Sequence, residues 1–467
     1  MAAIDAKLFK KYDIRGRALG ENPPLTPDVA RRIGHAFGTW LREHSTANEV
    51  VVGRDNRHSS PALAEAAIEG IRASGCNVVD IGLVMTPLVY WWAVQRGNAG
   101  GLMVTGSHLA PDQNGFKLSV GPRNLFGDDL QALRGLIESG ALAQGRGAVE
   151  QIDEPFTPYM AQIVPSLPMA RALRIVVDPG NGTAGLFAPR LFEAWSHHVT
   201  CIFCEPDGDY PNHQPDPQVP ANMVALRNAV REHNADLGIA FDGDADRMGA
   251  VDETGRVITA DRLLALLARD MLSRHPGASV VADVLCSQVL FDEVAAANGV
   301  PIMWASGHSL VKSKMAEVGA LLGGEMSGHI FLGEDYYGFD DACLAAGRLL
   351  QIVASTSMTL SQIDATLPTL FSTPEYRPHC PDEAKAKVIE GVAAALAGEG
   401  EVVSVDGVRI RFERGWGLLR ASNTEPVLSL RFEGETEADA WRYRDLFAAA
   451  LRQFPEVEPL PDHDPGR

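Results

Sequence analysis

Three aspartates at alternate positions follow a short apolar run and could hold a metal ion. Asp242, Asp244 and Asp246 lie in the segment DGDADR, directly after the apolar residues 237–241. Carboxylates at this spacing in a glycine-containing loop can converge on one hard cation, and Mg²⁺ commonly combines carboxylates with phosphate oxygens. The segment lacks the glycine position and the closing glutamate of an EF-hand loop. We therefore expect a Mg²⁺ site, and the alternative is a solvated acidic turn.

A second group combines a serine in a turn with a lysine ten residues later. Ser107 belongs to the motif TGSH and Lys117 to the motif NGFK. A serine that follows glycine after a strand is accessible as a nucleophile or phosphate carrier, and a nearby lysine can act as a general base or bind phosphate. The segment is not the G-x-S-x-G elbow of α/β-hydrolases, because Leu109 and Ala110 follow the histidine. Taken alone, a Gly-Ser-His tripeptide is most often an ordinary turn.

Two further loops carry groups suited to anions and sugars. Arg420 opens the motif RASNTEP, in which small hydrogen-bonding residues and backbone N–H groups could form an anion cradle. The motif GEMSGH contains Glu325, Ser327 and His329, which could accept hydrogen bonds from vicinal sugar hydroxyls and donate to them. Read separately, the first loop could be a capped turn and the second a polar loop.

The composition restricts the class of partner. The 467 residues are 46% hydrophobic and 22% charged, which is typical of a globular protein, and the formal net charge is −19. Such a surface repels polyanions, so we expect neither nucleic acid nor a membrane as a partner. An anionic substrate would need local positive charge, and basic residues do occur singly near these loops. They are Arg15, Arg54, Arg57, Lys117, Arg247 and Arg420.

Cysteine content and hydropathy point to the cytoplasm. Six cysteines are too few for a disulfide framework, and the first residues carry no apolar signal segment. The longest stretch without charged residues, 81–95, is shorter than the ~20 residues of a spanning helix. We expect a cytoplasmic protein and take a monomer as the default state.

The elements that position these loops alternate between strands and helices. β-Branched runs at 49–53, 174–178 and 279–283 predict strands, and each precedes a segment of helical period. Each of these units later has an apolar run that enters one of the loops VTGSH, AFDGDADR or GGEMSGH. Ligands bind outside the carboxyl ends of strands in open α/β sheets. The pattern therefore predicts one active site assembled between units.

The predicted fold is α/β, with three similar mixed α/β domains and a smaller C-terminal α+β domain around a central cleft. Turn-rich segments set the boundaries that we expect between these domains. The predicted domains are 1–154, 155–256, 257–368 and 369–467.

At these loops the sequence resembles the α-D-phosphohexomutase superfamily, and most closely its bacterial phosphomannomutase/phosphoglucomutase family. The resemblance extends over nearly the whole chain, because eight motifs occur in the family's order. They are FKKYDIRG, GRDNRHSS, VTGSHLAPDQNGFK, DPGNGTAG, FDGDADR, SGHSLVK, GEMSGH and RASNTEP. Each motif is weak or moderate by itself, whereas the collinear set is specific.

The resemblance implies a role for each group of residues. Ser107 would be the phosphoserine of the resting enzyme and would complete a Mg²⁺ site formed by Asp242, Asp244 and Asp246. Glu325, Ser327 and His329 would bind sugar hydroxyls. The substrate's non-transferring phosphate would be bound by Arg420, Ser422, Asn423 and Thr424. The reacting centre would be lined by Tyr12, Arg15, Lys117, Arg247 and His308.

The implied reaction interconverts hexose 1-phosphate and hexose 6-phosphate of mannose, glucose or both. The phosphoserine would donate its phosphoryl group to give hexose 1,6-bisphosphate, which would turn over in the cleft and rephosphorylate the serine. Hexose 1,6-bisphosphate would also act as the activator. Phosphoryl transfer depends on positioning and charge neutralisation, which agrees with the carboxylates and basic residues above.

Two departures from the family pattern leave alternatives open. Leu109 and Ala110 stand where the family usually has asparagine and proline, and Leu285 stands where a lysine is common. These departures motivate a catalytically weak paralogue that only binds sugar phosphates. A phosphoglucosamine mutase is a second alternative, although Met326 differs from the glutamine usual there. A metal-dependent phosphatase is a third, but it would need neither a serine carrier nor the sugar and phosphate loops.

Overall fold

The computed structural model describes residues 4–422 and 426–461. These residues form four sheets that follow one another along the chain. We refer to the sheets with their helices as units I to IV. The predicted α/β architecture of three mixed units and a smaller final unit is confirmed.

Unit I contains the largest sheet, with strand order β1-β5-β4-β2-β3-β7 and β6 paired to β5. A 3-10 turn at Ala6–Leu8 precedes the first strand. The strands are β1 (Ile14–Arg17), β2 (Glu49–Arg54), β3 (Asn77–Leu83), β4 (Gly100–Val104), β5 (Gln113–Val120), β6 (Arg123–Asn124) and β7 (Val149–Gln151). The helices are α1 (Pro27–His44), α2 (Ser60–Ala73), α3 (Thr86–Gln95) and α4 (Asp128–Ser139).

Unit II begins with α5 (Phe156–Ser166), and its strands are ordered β12-β11-β10-β8-β9. The strands are β8 (Arg174–Asp178), β9 (His198–Cys201), β10 (Leu237–Phe241), β11 (Met248–Asp252) and β12 (Val257–Ile258). The other helices are α6 (Ala184–Ala194) and α7 (Val224–Glu232).

Unit III has the strand order β14-β13-β15-β16. Its strands are β13 (Ser279–Asp283), β14 (Val300–Trp304), β15 (Leu322–Gly324) and β16 (Ile330–Leu332). Its helices are α8 (Ala260–Arg274), α9 (Gln288–Ala296), α10 (His308–Val318), α11 (Ala342–Ala354) and α12 (Leu360–Asp364).

Unit IV is an antiparallel sheet of order β17-β21-β20-β19-β18 with two helices. Its elements are β17 (Phe371–Ser372), α13 (Asp382–Ala395), β18 (Glu401–Val403), β19 (Val408–Phe412), β20 (Gly415–Ala421), β21 (Leu428–Gly434) and α14 (Glu437–Leu451).

The same connection positions a loop in each of the first three units. A buried strand ends, a short polar turn follows, and the chain returns as an antiparallel neighbour. The pairs are β4 with β5, β10 with β11, and β15 with β16. Each sheet is therefore parallel at its centre and antiparallel at this point. The three polar turns leave the carboxyl ends of buried strands, which is where ligands bind in such sheets.

The largest apolar cluster extends through units I, II and III, whereas unit IV has a cluster of its own and shares a small one with unit III. Trp91, Phe192 and Leu349 come from three different units and belong to one buried cluster. Val408 and Phe447 belong to a cluster formed within unit IV. No helix among the described residues is both long and apolar enough to cross a membrane.

Candidate active site

Ser107 lies in the turn after β4 and is oriented by contacts on both sides. Its residue is only 1% exposed, and its backbone adopts a φ of 50°, a left-handed conformation that costs energy for a non-glycine residue. The hydroxyl donates a hydrogen bond to Asp242 Oδ2 at 2.7 Å. The backbone N–H donates to Thr105 Oγ1 at 2.8 Å. The serine of unit I thus points into the acidic loop of unit II.

A buried arginine, Arg57, binds the backbone of the turn that carries Ser107. The Arg57 guanidinium donates to the carbonyl oxygens of Ser107 and Leu109 at 2.7 Å each and of Ala110 at 2.6 Å. It also pairs with Asp55, which in turn accepts from the N–H of the glycine before the serine. Arg57 is 1% exposed. Its guanidinium binds backbone carbonyls and Asp55, so its positive charge lies directly behind the turn that carries Ser107.

The same contacts explain how the turn accommodates the departures at positions 109 and 110. Leu109 donates its N–H to Gly106 O at 3.0 Å and presents its carbonyl to Arg57. Ala110 likewise contributes its carbonyl. Both residues act here through backbone groups, which every amino acid except proline supplies in full. The Leu109 side chain is half-buried and that of Ala110 is exposed.

The three aspartates of the acidic loop converge as the sequence predicts. Asp242, Asp244 and Asp246 are all 0% exposed, and each offers a carboxylate oxygen within 4.8 Å of the others. Two of these oxygens, Asp244 Oδ1 and Asp246 Oδ1, are buried without a hydrogen-bond partner within the described ranges. Buried carboxylate oxygens need a cation or donor. An all-oxygen donor set beside a serine hydroxyl therefore fits a hard ion such as Mg²⁺.

The acidic loop packs directly on the serine turn. A Cβ added at Gly243 would lie 2.4 Å from Ser107 O, so only glycine permits this approach. Thr86, at the beginning of α3, donates its hydroxyl to Asp244 Oδ2 at 2.6 Å and its N–H to Asp244 O at 2.9 Å. These contacts fix units I and II together at the point where phosphoryl transfer would occur.

Lys117 lies on β5 and reaches the same carboxylates. Its ammonium donates to Asp244 Oδ2 at 2.6 Å and also contacts Asp246. Burial by itself would lower the pKa of Lys117, but the two carboxylates raise that pKa well above its ordinary value. The side chain is therefore a cation in this arrangement. The sequence left two roles open for Lys117, and its positive charge favours phosphate binding over the role of a general base.

The loop with the motif GEMSGH follows β15 and contacts Arg247 of unit II. Glu325 accepts from Gly307 N at 2.6 Å, and His329 Nε2 accepts from Arg247 Nε at 3.0 Å. Burial raises the pKa of Glu325 to about 7, although His329 opposes the shift. Ser327 is half-buried in the same turn. The structure thus places the loop with the three predicted sugar-binding residues beside the half-buried Arg247.

His308 and Tyr12 lie between units I and III. His308 begins α10, and its ring stacks on that of His329 with centroids 5.3 Å apart. The Tyr12 hydroxyl donates to Ser306 O at 3.0 Å. Burial, helped by the Asp406 carboxylate, raises the pKa of Tyr12 to about 12, so it is a proton donor at neutral pH.

Arg15 and Arg420 lie at the edges of this group. Arg15 is on β1, opposite Gly115 of β5, and pairs with Asp13. Arg420, near the end of β20, contacts Asp406 with N–O distances of 2.8 and 3.0 Å. Ser422 follows that strand, whereas the predicted ligands Asn423 and Thr424 lie outside the described residues.

Several residues at the site were missed by sequence reasoning. Ser306 joins three units, because its N–H donates to Asp406, its hydroxyl donates to Asp283, and its carbonyl accepts from Tyr12. Asp216 contacts His108, with the two atoms 3.0 Å apart. Ser306 belongs to a motif quoted above, which was a usable signal. Asp406 and Asp216 are distant in sequence and belong to no such motif.

Comparison with known families agrees with this arrangement. Four models described as phosphoglucomutase/phosphomannomutase domains match successive segments of the chain. The α/β/α domains I, II and III match residues 6–141, 156–255 and 259–371, and the C-terminal domain matches residues 375–450.

Individual relatives match over nearly their full length. A phosphomannomutase/phosphoglucomutase of Pseudomonas aeruginosa is 44% identical over 461 residues, which cover 98% of each chain. A phosphoglucomutase of Neisseria gonorrhoeae is 41% identical over 462 residues, covering 98% of this chain and 99% of the relative. A crystal structure of a family protein from Burkholderia thailandensis superposes with a TM-score of 0.92 at 40% identity, covering 98% of this chain and 100% of the other.

Proposed function

The chain belongs to the phosphoglucomutase/phosphomannomutase family, and from this premise we propose that it interconverts hexose 1-phosphate and hexose 6-phosphate of glucose, mannose or both. The proposed route uses a phosphoserine at Ser107 and a hexose 1,6-bisphosphate, which is also the activator. It is supported most directly by the Ser107 hydroxyl, which lies 2.7 Å from Asp242 and beside a buried lysine.

We propose that Ser107 carries the phosphoryl group and, with Asp242, Asp244 and Asp246, holds Mg²⁺. When bound, the ion would neutralise charge on the transferring group. Lys117 contributes a second positive charge at the same place, because its ammonium contacts two of the three carboxylates. Arg57 holds the turn, so that the serine oxygen need not be repositioned in each transfer.

The recognition residues are proposed to bind the two ends of the substrate. Glu325, Ser327 and His329 bind sugar hydroxyls, and Arg420 binds the phosphate that is not being transferred. Ser422 and the neighbouring Asn423 and Thr424 would complete that phosphate site.

We propose that the remaining residues act at the reacting centre. Arg247 lies in contact with His329 and would place positive charge beside the transferred phosphoryl group. Burial, with Lys312 and His329 nearby, lowers the pKa of His308 well below its usual range. A neutral His308 can orient a sugar hydroxyl. Tyr12 can donate a proton in a hydrogen bond, and Arg15 supplies a further positive charge.

The alternatives receive less support. The Pseudomonas and Neisseria relatives are named for glucose and mannose phosphates, so glucosamine phosphate is not favoured as the substrate. A weak paralogue was motivated by Leu109 and Leu285. The backbone groups of Leu109 supply the contacts of the turn, and the carbonyl oxygen of Leu285 accepts a hydrogen bond from Arg431. A phosphatase would not need a serine that is buried against the metal loop.

The test is isomerisation of glucose 1-phosphate and mannose 1-phosphate, assayed side by side with Mg²⁺ and a trace of hexose 1,6-bisphosphate. We expect turnover of at least one sugar, lost by a factor of about 10³ or more in Ser107→Ala. Ser139→Ala changes an exposed serine at the end of α4 and should retain activity.

Three results would contradict the proposal. Near wild-type activity in Ser107→Ala would exclude Ser107 as the residue that carries the phosphoryl group. Free phosphate in place of isomer would indicate a phosphatase. Absence of turnover with both sugars would direct the assay to glucosamine phosphate and, if that also failed, to a protein that only binds sugar phosphates.

A further inference from the structure

Lys312 lies in the motif SGHSLVK but has no part in the function proposed above. It is 6% exposed and lies on α10, one helical turn after His308 and therefore on the same face of that helix. A buried lysine requires partners for its charge. Those partners connect two units of the protein.

The ammonium of Lys312 binds one residue of unit III and one of unit I. It donates to Asp340 Oδ1 at 2.7 Å and to Asn124 Oδ1 at 3.0 Å. It also lies 4.6 Å from the centre of the Tyr90 ring on α3. Lys312 is thus a link from the helix that begins at His308 to β6 and α3 of unit I.

Each of its two hydrogen-bond partners contacts a histidine of the proposed active site, one in the reacting centre and one among the sugar-binding residues. Asp340 Oδ2 lies 3.0 Å from His329 Nδ1, and Asn124 Nδ2 lies 3.4 Å from His308 Nδ1. The two imidazoles stack on each other. The Lys312 ammonium is therefore linked to each imidazole through one intervening side chain.

The orientation of His329 follows from these contacts. Its Nε2 accepts from Arg247 Nε, so in the neutral ring the proton is on Nδ1. That nitrogen lies 3.0 Å from Asp340 Oδ2 and 3.7 Å from Asp246 Oδ1, and the contact with Asp340 is a charge contact without hydrogen-bond geometry. A protonated Nδ1 does not ligate a metal, so these three residues orient the imidazole and do not form a second metal site.

We propose that Lys312 is a positioning residue, which acts through Asp340 on His329 and through Asn124 on His308. It thereby sets both imidazoles for their contacts with the sugar and couples their placement to the contact between units I and III. The inference rests on the proposed function. A group that misplaces catalytic contacts by about 1 Å can cost ~10²-fold in rate.

The first variant is Lys312→Met, which keeps the length of the side chain and removes its charge. We expect kcat to fall by about tenfold to a hundredfold while KM changes by less than about threefold. Phosphorylation of Ser107 by added bisphosphate should persist. The matched control is Lys314→Met on the same helix, because Lys314 pairs with Glu317 and packs on Trp304.

A second variant separates positioning from charge balance, because Lys312→Met leaves Asp340 as an unpaired buried charge. The double variant Lys312→Met/Asp340→Asn removes both charges and retains an amide oxygen that can accept from His329. We expect it to recover thermal stability but not kcat. Recovery of both would overturn the proposal, since Lys312 would then only neutralise Asp340. Asn124→Ala, which changes no charge, should produce a smaller loss of kcat.

A measurement without turnover distinguishes failure of this proposal from failure of the proposed function. The ring ¹³C–¹H signals of His308 and His329, assigned with His308→Gln and His329→Gln, report the histidine environments in the folded protein. We expect both signals to shift in Lys312→Met and neither to shift in Lys314→Met. Unchanged signals in folded Lys312→Met would overturn the proposal even if the wild-type protein is an active mutase.

Discussion

The proposed reacting centre and the proposed phosphate-binding edge around Arg420 differ in how their charged groups are held. Ser107, Lys117 and the three aspartates are nearly fully buried, with exposures between 0% and 5%. Their contacts cross between units I and II, as in the pair of Lys117 and Asp244. Arg420 is half-buried, and its partner Asp406 belongs to the same unit.

This difference indicates what each region contributes. Buried charges are costly unless their partners are already in place, so the reacting centre is preorganised before substrate arrives. The edge on unit IV has its own apolar core and reaches the centre through the Asp406–Ser306 hydrogen bond. We infer that damage to the centre lowers the rate and the stability together, whereas damage to the edge weakens substrate binding.

The largest effect is expected from Asp244→Asn at the reacting centre. The change removes a carboxylate of the proposed metal site and leaves Lys117 with one fewer carboxylate. We expect kcat to fall by about 10²–10³-fold with a weakened response to Mg²⁺, and stability to fall by about 3–5 kcal/mol. Activity across a Mg²⁺ titration and thermal unfolding measure the two effects.

The control for this experiment is Asp209→Asn, whose side chain is 74% exposed. It should change neither the Mg²⁺ response nor the unfolding temperature. An unaltered Mg²⁺ dependence in Asp244→Asn would show that this loop does not bind the metal. The proposed difference between the two regions would then be wrong.

Arg57→Lys tests whether the serine turn needs its geometry as well as its charge. Lysine keeps the positive charge but cannot reproduce the planar guanidinium, which donates to four carbonyl oxygens. We expect kcat to fall by about 10²-fold with little change in KM. Steady-state kinetics beside Arg31→Lys, an exposed control, check this. An increase confined to KM would instead group Arg57 with Arg420, the residue proposed for substrate binding.

Arg420→Ala should affect binding and leave the fold intact. Hydrogen bonds from a charged group are worth about 1.5–3 kcal/mol, so kcat/KM should fall by about 10–100-fold, mostly through KM. Arg411→Ala is a matched control, because Arg411 is exposed on the neighbouring strand of unit IV. A loss confined to kcat would show that the edge takes part in the transfer step.

The Glu325 carboxyl predicts a pH effect on sugar binding. Burial raises the pKa of Glu325 to about 7, so the carboxylate that accepts hydroxyl hydrogen bonds forms as the pH rises through that value. KM should fall by about threefold to tenfold from about pH 6 to about pH 8. Glu325→Gln should flatten this profile, and a wild-type profile that persists in the variant would exclude Glu325 as its cause.

The same group makes a signed contribution to stability. Between about pH 4.5, its unfolded value, and about pH 7, the folded protein holds a proton that the unfolded chain has lost. The free energy of unfolding contributed by Glu325 therefore decreases as the pH rises through this window. Thermal unfolding of wild type and Glu325→Gln across the window measures the difference.

Sequence reasoning located the site loops because local patterns determine them. A buried strand followed by glycine and aspartate predicted the loop at Asp242, and strand β8 coincides with the β-branched run at 174–178. The reasoning could not assign Arg57 to backbone carbonyls or pair Arg420 with Asp406. Such contacts depend on tertiary packing and leave no periodicity in the sequence.

The smallest expected effect comes from Leu109, the residue whose side chain departs from the family pattern. Leu109→Asn should change kcat by less than about threefold, because the turn uses its carbonyl and N–H. Leu109→Pro removes the N–H that donates to Gly106 and should slow transfer far more. Steady-state kinetics of both variants compare side chain with backbone at one position. A large increase in kcat in Leu109→Asn would mean that the reacting centre is incompletely preorganised. The reacting centre and the edge on unit IV would then differ less in preorganisation than their burial indicates.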